Sequence, residues 1–116
     1  MNRLLLSLIL LAGSIATVRA DTNAEAEIHA LIRAVAESGC EFNRNGSLHS
    51  PEAAAEHLEL KYSRGKRYAG SAEAFIDRLA SKSSWSGKSY QMICDQQTQP
   101  AGDWLTATLQ EMRLSN

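Results

Sequence analysis

The sequence predicts a helix-rich α+β domain with a small antiparallel sheet. Three observations carry this. Apolar residues recur at helical spacing in four windows. Two short runs, around Cys40–Asn45 and Ser89–Asp95, alternate at strand spacing instead. The chain's two cysteines fall one in each of those runs. The order is helix, hairpin, helix, helix, strand, helix. That is too few strands for a doubly wound sheet, so a small sheet covered on one side is the expected architecture.

The amino end reads as a leader, not as part of the fold. Arg3 supplies a positive start, Leu4 to Leu11 is hydrocarbon apart from Ser7, and Val18-Arg19-Ala20 is a small-residue cleavage site. Residues 1–20 are therefore expected to be a signal peptide, cut after Ala20. The apolar run is shorter than the roughly 20 residues a bilayer span needs. Ser14 stands where a lipoprotein would carry its cysteine. Residues 21–116 are expected to be a single exported domain with no transmembrane segment. Of the chain's 12 basic side chains, Arg3 and Arg19 leave with the leader, so 10 remain against 13 acidic ones, a formal charge of −3. Such a balance excludes a dedicated nucleic-acid binder.

Each element has its own local reason. Thr22 or Asn23 caps a first helix whose stripe is Ile28, Leu31, Ile32 and Val35; Gly39 is the left-handed residue that stops it. Cys40, Phe42 and Arg44 then share one strand face, and Glu41, Asn43 and Asn45 the other. Asn45-Gly46 is a type I′ hairpin pair, with Ser47-Leu48-His49 returning. Ser50 caps a second helix, Pro51 takes its first position and Glu52 its first turn. That helix runs to about Arg64 with Ala54, Ala55, Leu58 and Tyr62 inward. Ser71 caps a third, with Phe75, Ile76, Leu79 and Ala80 inward. After the serine-rich loop 81–88, Ser89 to Asp95 is a strand with Tyr90, Met92 and Cys94 on one face. Gln96 to Gly102 reads as a polar loop. A last helix starts near Asp103 and carries Trp104, Leu105, Leu109 and Met112.

Export implies an oxidising compartment, so a Cys40–Cys94 disulfide is the expected state of the pair. Closing a loop of ~55 residues stabilises by about 4 kcal/mol in the chain-entropy model.

An ordered run of short motifs is then in view: Gly39-Cys40, Phe42, Arg44-Asn45-Gly46, His57-Leu58, Lys61-Tyr62, Ala72-Glu73, Phe75-Ile76, Ala80-Ser81, Ser83-Ser84, Ser86-Gly87, Tyr90, Cys94 and Trp104-Leu105. In this order they resemble the YfeK-like family of small exported proteins of Gram-negative bacteria. The resemblance implies a periplasmic location and a compact α+β domain. It supplies no established activity and no catalytic residue.

Candidate binding residues fall into three groups. His57 and Lys61 are one helical turn apart and share a face. With Arg44 and Asn45 of the hairpin they form a candidate cationic pocket for a carboxylate or phosphate. The bland reading is charge pairing of these cations with Glu56 or Glu59. Ser83, Ser84, Ser86 and Lys88 belong to a Gly/Ser loop that can offer an anion its backbone amides; the bland reading is a turn whose serines cap it. Trp85 is either an interface anchor or a lid over a small core. The basic segment Lys61 to Tyr68 is a further anionic-surface candidate, weighed against a solvated helix end. Gly87-Lys88-Ser89 is not a P-loop, because Lys82 stands where the first glycine belongs. His29, His49 and His57 lack metal-ligand spacing, so neither metal nor cofactor is expected.

Two classes of function follow. One is a non-enzymatic binding module for a periplasmic protein or envelope component. The other is a small envelope hydrolase with His57 as acid/base, or an inhibitor of an attacking hydrolase with the hairpin as wedge.

Overall fold

The computed structural model describes residues 23–115. The leader expected over residues 1–20, its cleavage site and the cap at Thr22 lie outside the described residues. Helix α1 covers 23–37. Strands β1 (Glu41–Arg44) and β2 (Ser47–His49) form the hairpin, followed by α2 (Pro51–Arg64) and a 3₁₀ turn, Lys66–Tyr68. Helix α3 (Ala72–Phe75) runs on as a π-helical turn, Ile76–Ala80. Then come β3 (Gln91–Cys94), β4 (Gln97–Pro100) and α4 (Ala101–Ser115).

The helices begin and end where their caps place them. Ser50 accepts the Ala53 amide at 3.1 Å, and Ser71 accepts the Ala74 amide at 3.0 Å. Each satisfies one donor that a helix start leaves free. Gly39 closes α1 at φ 71°. Asn45 and Gly46, at φ 56° and 86°, make the type I′ turn.

The sheet order is β2-β1-β3-β4, and every neighbouring pair is antiparallel. Because Glu41 faces Ile93, Cys40 falls opposite Cys94. Their Cα atoms are 4.6 Å apart and the disulfide is formed. It joins the two central strands. One sheet face carries Cys40, Phe42, Tyr90 and Met92 into a core shared with Ile28, Leu31, Leu58, Phe75, Leu105 and Leu109. Burying such a side chain fully contributes roughly 1.5–3 kcal/mol.

Two expectations need correction. The segment after Cys94 is not a loop. Asp95 and Gln96, both at positive φ, turn the chain into β4, which pairs with β3 from Cys94↔Gln97 to Gln91↔Pro100. All four β4 residues are exposed, so no buried alternation marks the strand. Pro100 sits at its end on the sheet edge, where a missing amide costs no ladder bond. The last helix accordingly starts at Ala101, two residues early, with the Ala101 amide donating to the Tyr90 carbonyl at 2.8 Å.

Two close approaches set the surroundings of the serine loop. At Gly102 a Cβ would lie 2.6 Å from Ser81 Oγ, and the Ser81 hydroxyl itself donates to the Ile76 carbonyl at 2.6 Å, closing the π turn. At Gly65 a Cβ would lie 2.9 Å from Leu79 Cδ2 and 3.1 Å from the Lys61 carbonyl oxygen, so the end of α2 rests closely on Leu79. No helix among the described residues is long and apolar enough to cross a membrane.

Candidate functional site

The hairpin tip, the outer face of α2 and the serine loop enclose an open cavity of ≈ 460 Å³. Arg44, Asn45, His57, Lys61, Ser83, Ser84 and Trp85 all line it. Arg64 and Tyr68 join from the basic segment, and Tyr90 from the residue just before β3. Ser86 and Lys88, candidates on sequence, are not among the lining residues.

The floor is a relay of donors. Arg44 Nη1 lies 2.7 Å from His57 Nδ1. The same Nη1 lies 3.2 Å from Nε2; a guanidinium only donates, so the shorter contact assigns the acceptor role to Nδ1 and the proton of the neutral ring to Nε2. Nε2 is 3.3 Å from the Tyr90 hydroxyl oxygen, which also accepts from Lys61 Nζ at 3.1 Å. Both lone pairs of that oxygen are then engaged, and the phenol proton is left to donate. Lys61 also donates to the Lys82 carbonyl at 3.0 Å, and its ammonium lies 5.0 Å from the Tyr90 ring centroid.

Burial, then the charges of Arg44, Lys61 and His49, pushes His57 down to about 4. Burial and Arg44 lower Lys61. Burial raises Tyr90 against the opposing pull of Arg44, so the phenol keeps its proton at neutral pH. Among the described residues no carboxylate lines the cavity. Among the described residues, Arg44, Lys61 and Arg64 form no salt bridge. The pairing of Arg44 with Glu56 or Glu59 is not made; Glu59 instead approaches His29 at 3.6 Å.

Neutral His57 makes a pH prediction. The unfolded histidine takes its proton near 6.5 and the folded one near 4. Between those values the unfolded state binds more protons, so stability is lost as pH falls from 6.5 towards 4. With 1.36 kcal/mol per unit, and a discount for solvent screening of a half-open site, the loss is on the order of 1–2 kcal/mol. Urea midpoints at pH 7 and pH 4.5 will fall further apart in the native chain than in His57→Gln, which accepts from Arg44 without titrating. Equal gaps would refute this.

The serine loop is a closed turn. The Ser83 amide donates to the Lys88 carbonyl and Gly87 to the Ser83 carbonyl, at 2.9 and 3.0 Å. The Ser83 hydroxyl accepts the Trp85 and Ser86 amides at 3.2 and 3.1 Å, and Ser86 Oγ accepts the Lys88 amide. These amides are consumed within the loop, so the backbone anion nest allowed by the sequence is not formed through them. The loop's contribution is to hold Trp85, which is 93% exposed and is no lid. Asn45 ties the hairpin to this loop through Ser83 and Ser86.

The basic segment splits. Lys61 and Arg64 face the cavity, Tyr62 enters the core, and Lys66 and Arg67 lie over the rings of Tyr62 and Tyr68 at 5.4 and 4.8 Å. Among the described residues no group of three or more His, Cys, Asp or Glu side chains is placed to hold a metal ion.

Fold and cavity together define a small disulfide-linked α+β domain with a pocket lined by cations. Residues 22–113 match the model of a family of unknown function, DUF5329, and the chain belongs to that family. It is also 43% identical over 67 residues to the uncharacterized protein YfeK of Salmonella typhimurium strain LT2, covering 57% of this chain and 56% of that protein. The matched stretch thus spans little more than half the length of that relative. No solved structure matches the chain.

Proposed function

We propose that the chain is an exported, non-enzymatic binding domain of the cell envelope, and that its cavity holds an anionic group of an envelope component. One observation carries this reading: Arg44, Lys61 and Arg64 line one cavity to which the described residues bring no carboxylate. Cations gathered without a counter-charge repel one another, and an anion in their midst relieves that repulsion. The leader-like residues 1–20 and the cross-linked cysteines support a periplasmic location.

The hydrogen bonds favour binding over hydrolysis. His57 is held by Arg44 and Tyr90, not by a serine or a carboxylate. The Ser83 oxygen is turned towards backbone amides. A hydrolytic pair needs its nucleophile and base within reach of each other and the base oriented by a third group. The hairpin tip is tied back to the serine loop through Asn45, which speaks against its acting as an inhibitor's projecting wedge.

Calorimetric titration at low salt with inorganic phosphate and with acetate tests the reading. Arg44→Ala and Lys61→Ala are each expected to weaken binding about tenfold or more, the scale of one charge-assisted hydrogen bond. Binding should tighten as pH falls from 7 to 5, because an anion raises the pKa of His57 and so takes up a proton. Native protein that takes up neither probe, or variants that bind as the native chain does, would sink the proposal.

A further inference from the structure

We infer that the anion carries a saturated ring, and that the pocket takes a phosphorylated or carboxylated sugar. The charged group sits at Arg44, Lys61 and Arg64, and the apolar ring face lies on Trp85. This inference rests on the anion-binding reading.

The observation behind it is the way Trp85 is presented. An indole 93% exposed gains nothing from the core, yet its loop is fixed. Ser83 holds the amides of Trp85 and Ser86, and Asn45 braces both serines from the hairpin. A large flat apolar surface is thus held at the rim of a charged cavity. A second ring, Tyr68, lines the same cavity and is 46% exposed, and Leu79 adds an apolar wall.

A bare phosphate or carboxylate uses none of this surface. The cavity of ≈ 460 Å³ is also larger than such an ion requires. It falls in the range of small-ligand sites, roughly 300–1,000 Å³. A pyranose has a face of C–H bonds that packs on the negative face of an aromatic ring. Its ring and hydroxyl oxygens accept from the donors on the floor, among them the Tyr90 phenol. A nucleobase would also stack on Trp85. Its amino groups need acceptors, however, and the lining offers no carboxylate, while Asn45 Oδ1 already accepts from Ser86.

The test is a calorimetric series on the purified chain with its disulfide intact. Hexose 6-phosphate is compared with inorganic phosphate, hexuronate with acetate, and a nucleoside 5′-monophosphate serves as the competing class. The sugar acids are expected to bind about tenfold or more tighter than the bare ions. Trp85→Ala should bring the ratio of sugar-acid to bare-ion affinity down to about one, and Trp85→Phe should restore part of that ratio. An exposed side chain can be removed without threatening the fold. If hexose 6-phosphate binds no tighter than phosphate, the sugar inference fails and the anion reading stands. If no probe binds, both fail. A nucleotide that binds tighter than either sugar acid, with dependence on Trp85, overturns the sugar class.

Discussion

Loss of the Cys40–Cys94 bond is expected to lower stability by about 4 kcal/mol, by reduction or by the Cys40→Ala/Cys94→Ala double variant. The cysteines are 54 positions apart in the chain and opposite each other in the sheet. Cross-linking removes the freedom of that long loop from the unfolded state, which is the source of the figure. A domain of this size has roughly 5–10 kcal/mol in all. With a urea dependence of roughly 1–2 kcal/mol per molar, the midpoint should fall by about 2–4 M. The folded sheet should survive at low denaturant, since Phe42, Met92 and Tyr90 are buried independently of the bond. A midpoint shift below about half a molar would show that the unfolded chain is already constrained there without the cross-link.

That pairing was legible because the chain has two cysteines and a leader-like start that points to an oxidising compartment, and alternation placed each cysteine in a strand. The same logic explains what was hidden. Gln97–Pro100 is an edge strand with neither face buried, so the period-2 signal that reveals a strand is absent. Its turn, Asp95-Gln96, lacks the glycine that announced Asn45-Gly46. At the π turn, Ile76–Ala80, the Ser81 hydroxyl reaches back to the Ile76 carbonyl, a local bond that apolar periodicity does not record. In the cavity, Arg44, His57 and Lys61 could be grouped from a hairpin preceding a helix and an i, i+4 spacing. Arg64, three residues after Lys61 on α2, shares that face by the same spacing, whereas Tyr68 joins only because the chain turns after Gly65. Tyr90 escaped for a different reason. Alternation placed it correctly in the core beside Met92, but a tyrosine has two ends, and the hydroxyl end reaches the cavity.

Tyr90 is therefore where fold and site can be separated. Its ring is 2% exposed and packs on Phe42 with centroids 5.2 Å apart. Tyr90→Ala removes that ring from a closed core and is expected to cost about 3–5 kcal/mol, the scale of other buried aromatic truncations. Tyr90→Phe keeps the ring and removes only the oxygen that accepts from Lys61 and His57. Lys61 retains the Lys82 carbonyl and both donors lie near open solvent, so the expected loss is smaller, about 1 kcal/mol. Ligand binding does not follow the stability order, because both variants lack the hydroxyl. Tyr90→Phe takes away the phenol proton and frees the two groups that the phenol oxygen positions, so phosphate affinity should drop about tenfold with stability largely kept. Urea unfolding and phosphate titration of the two variants, run side by side, check this. Tyr90→Phe with native affinity would mean that the phenol only satisfies its neighbours, and the cavity's donors would then reduce to the three cations.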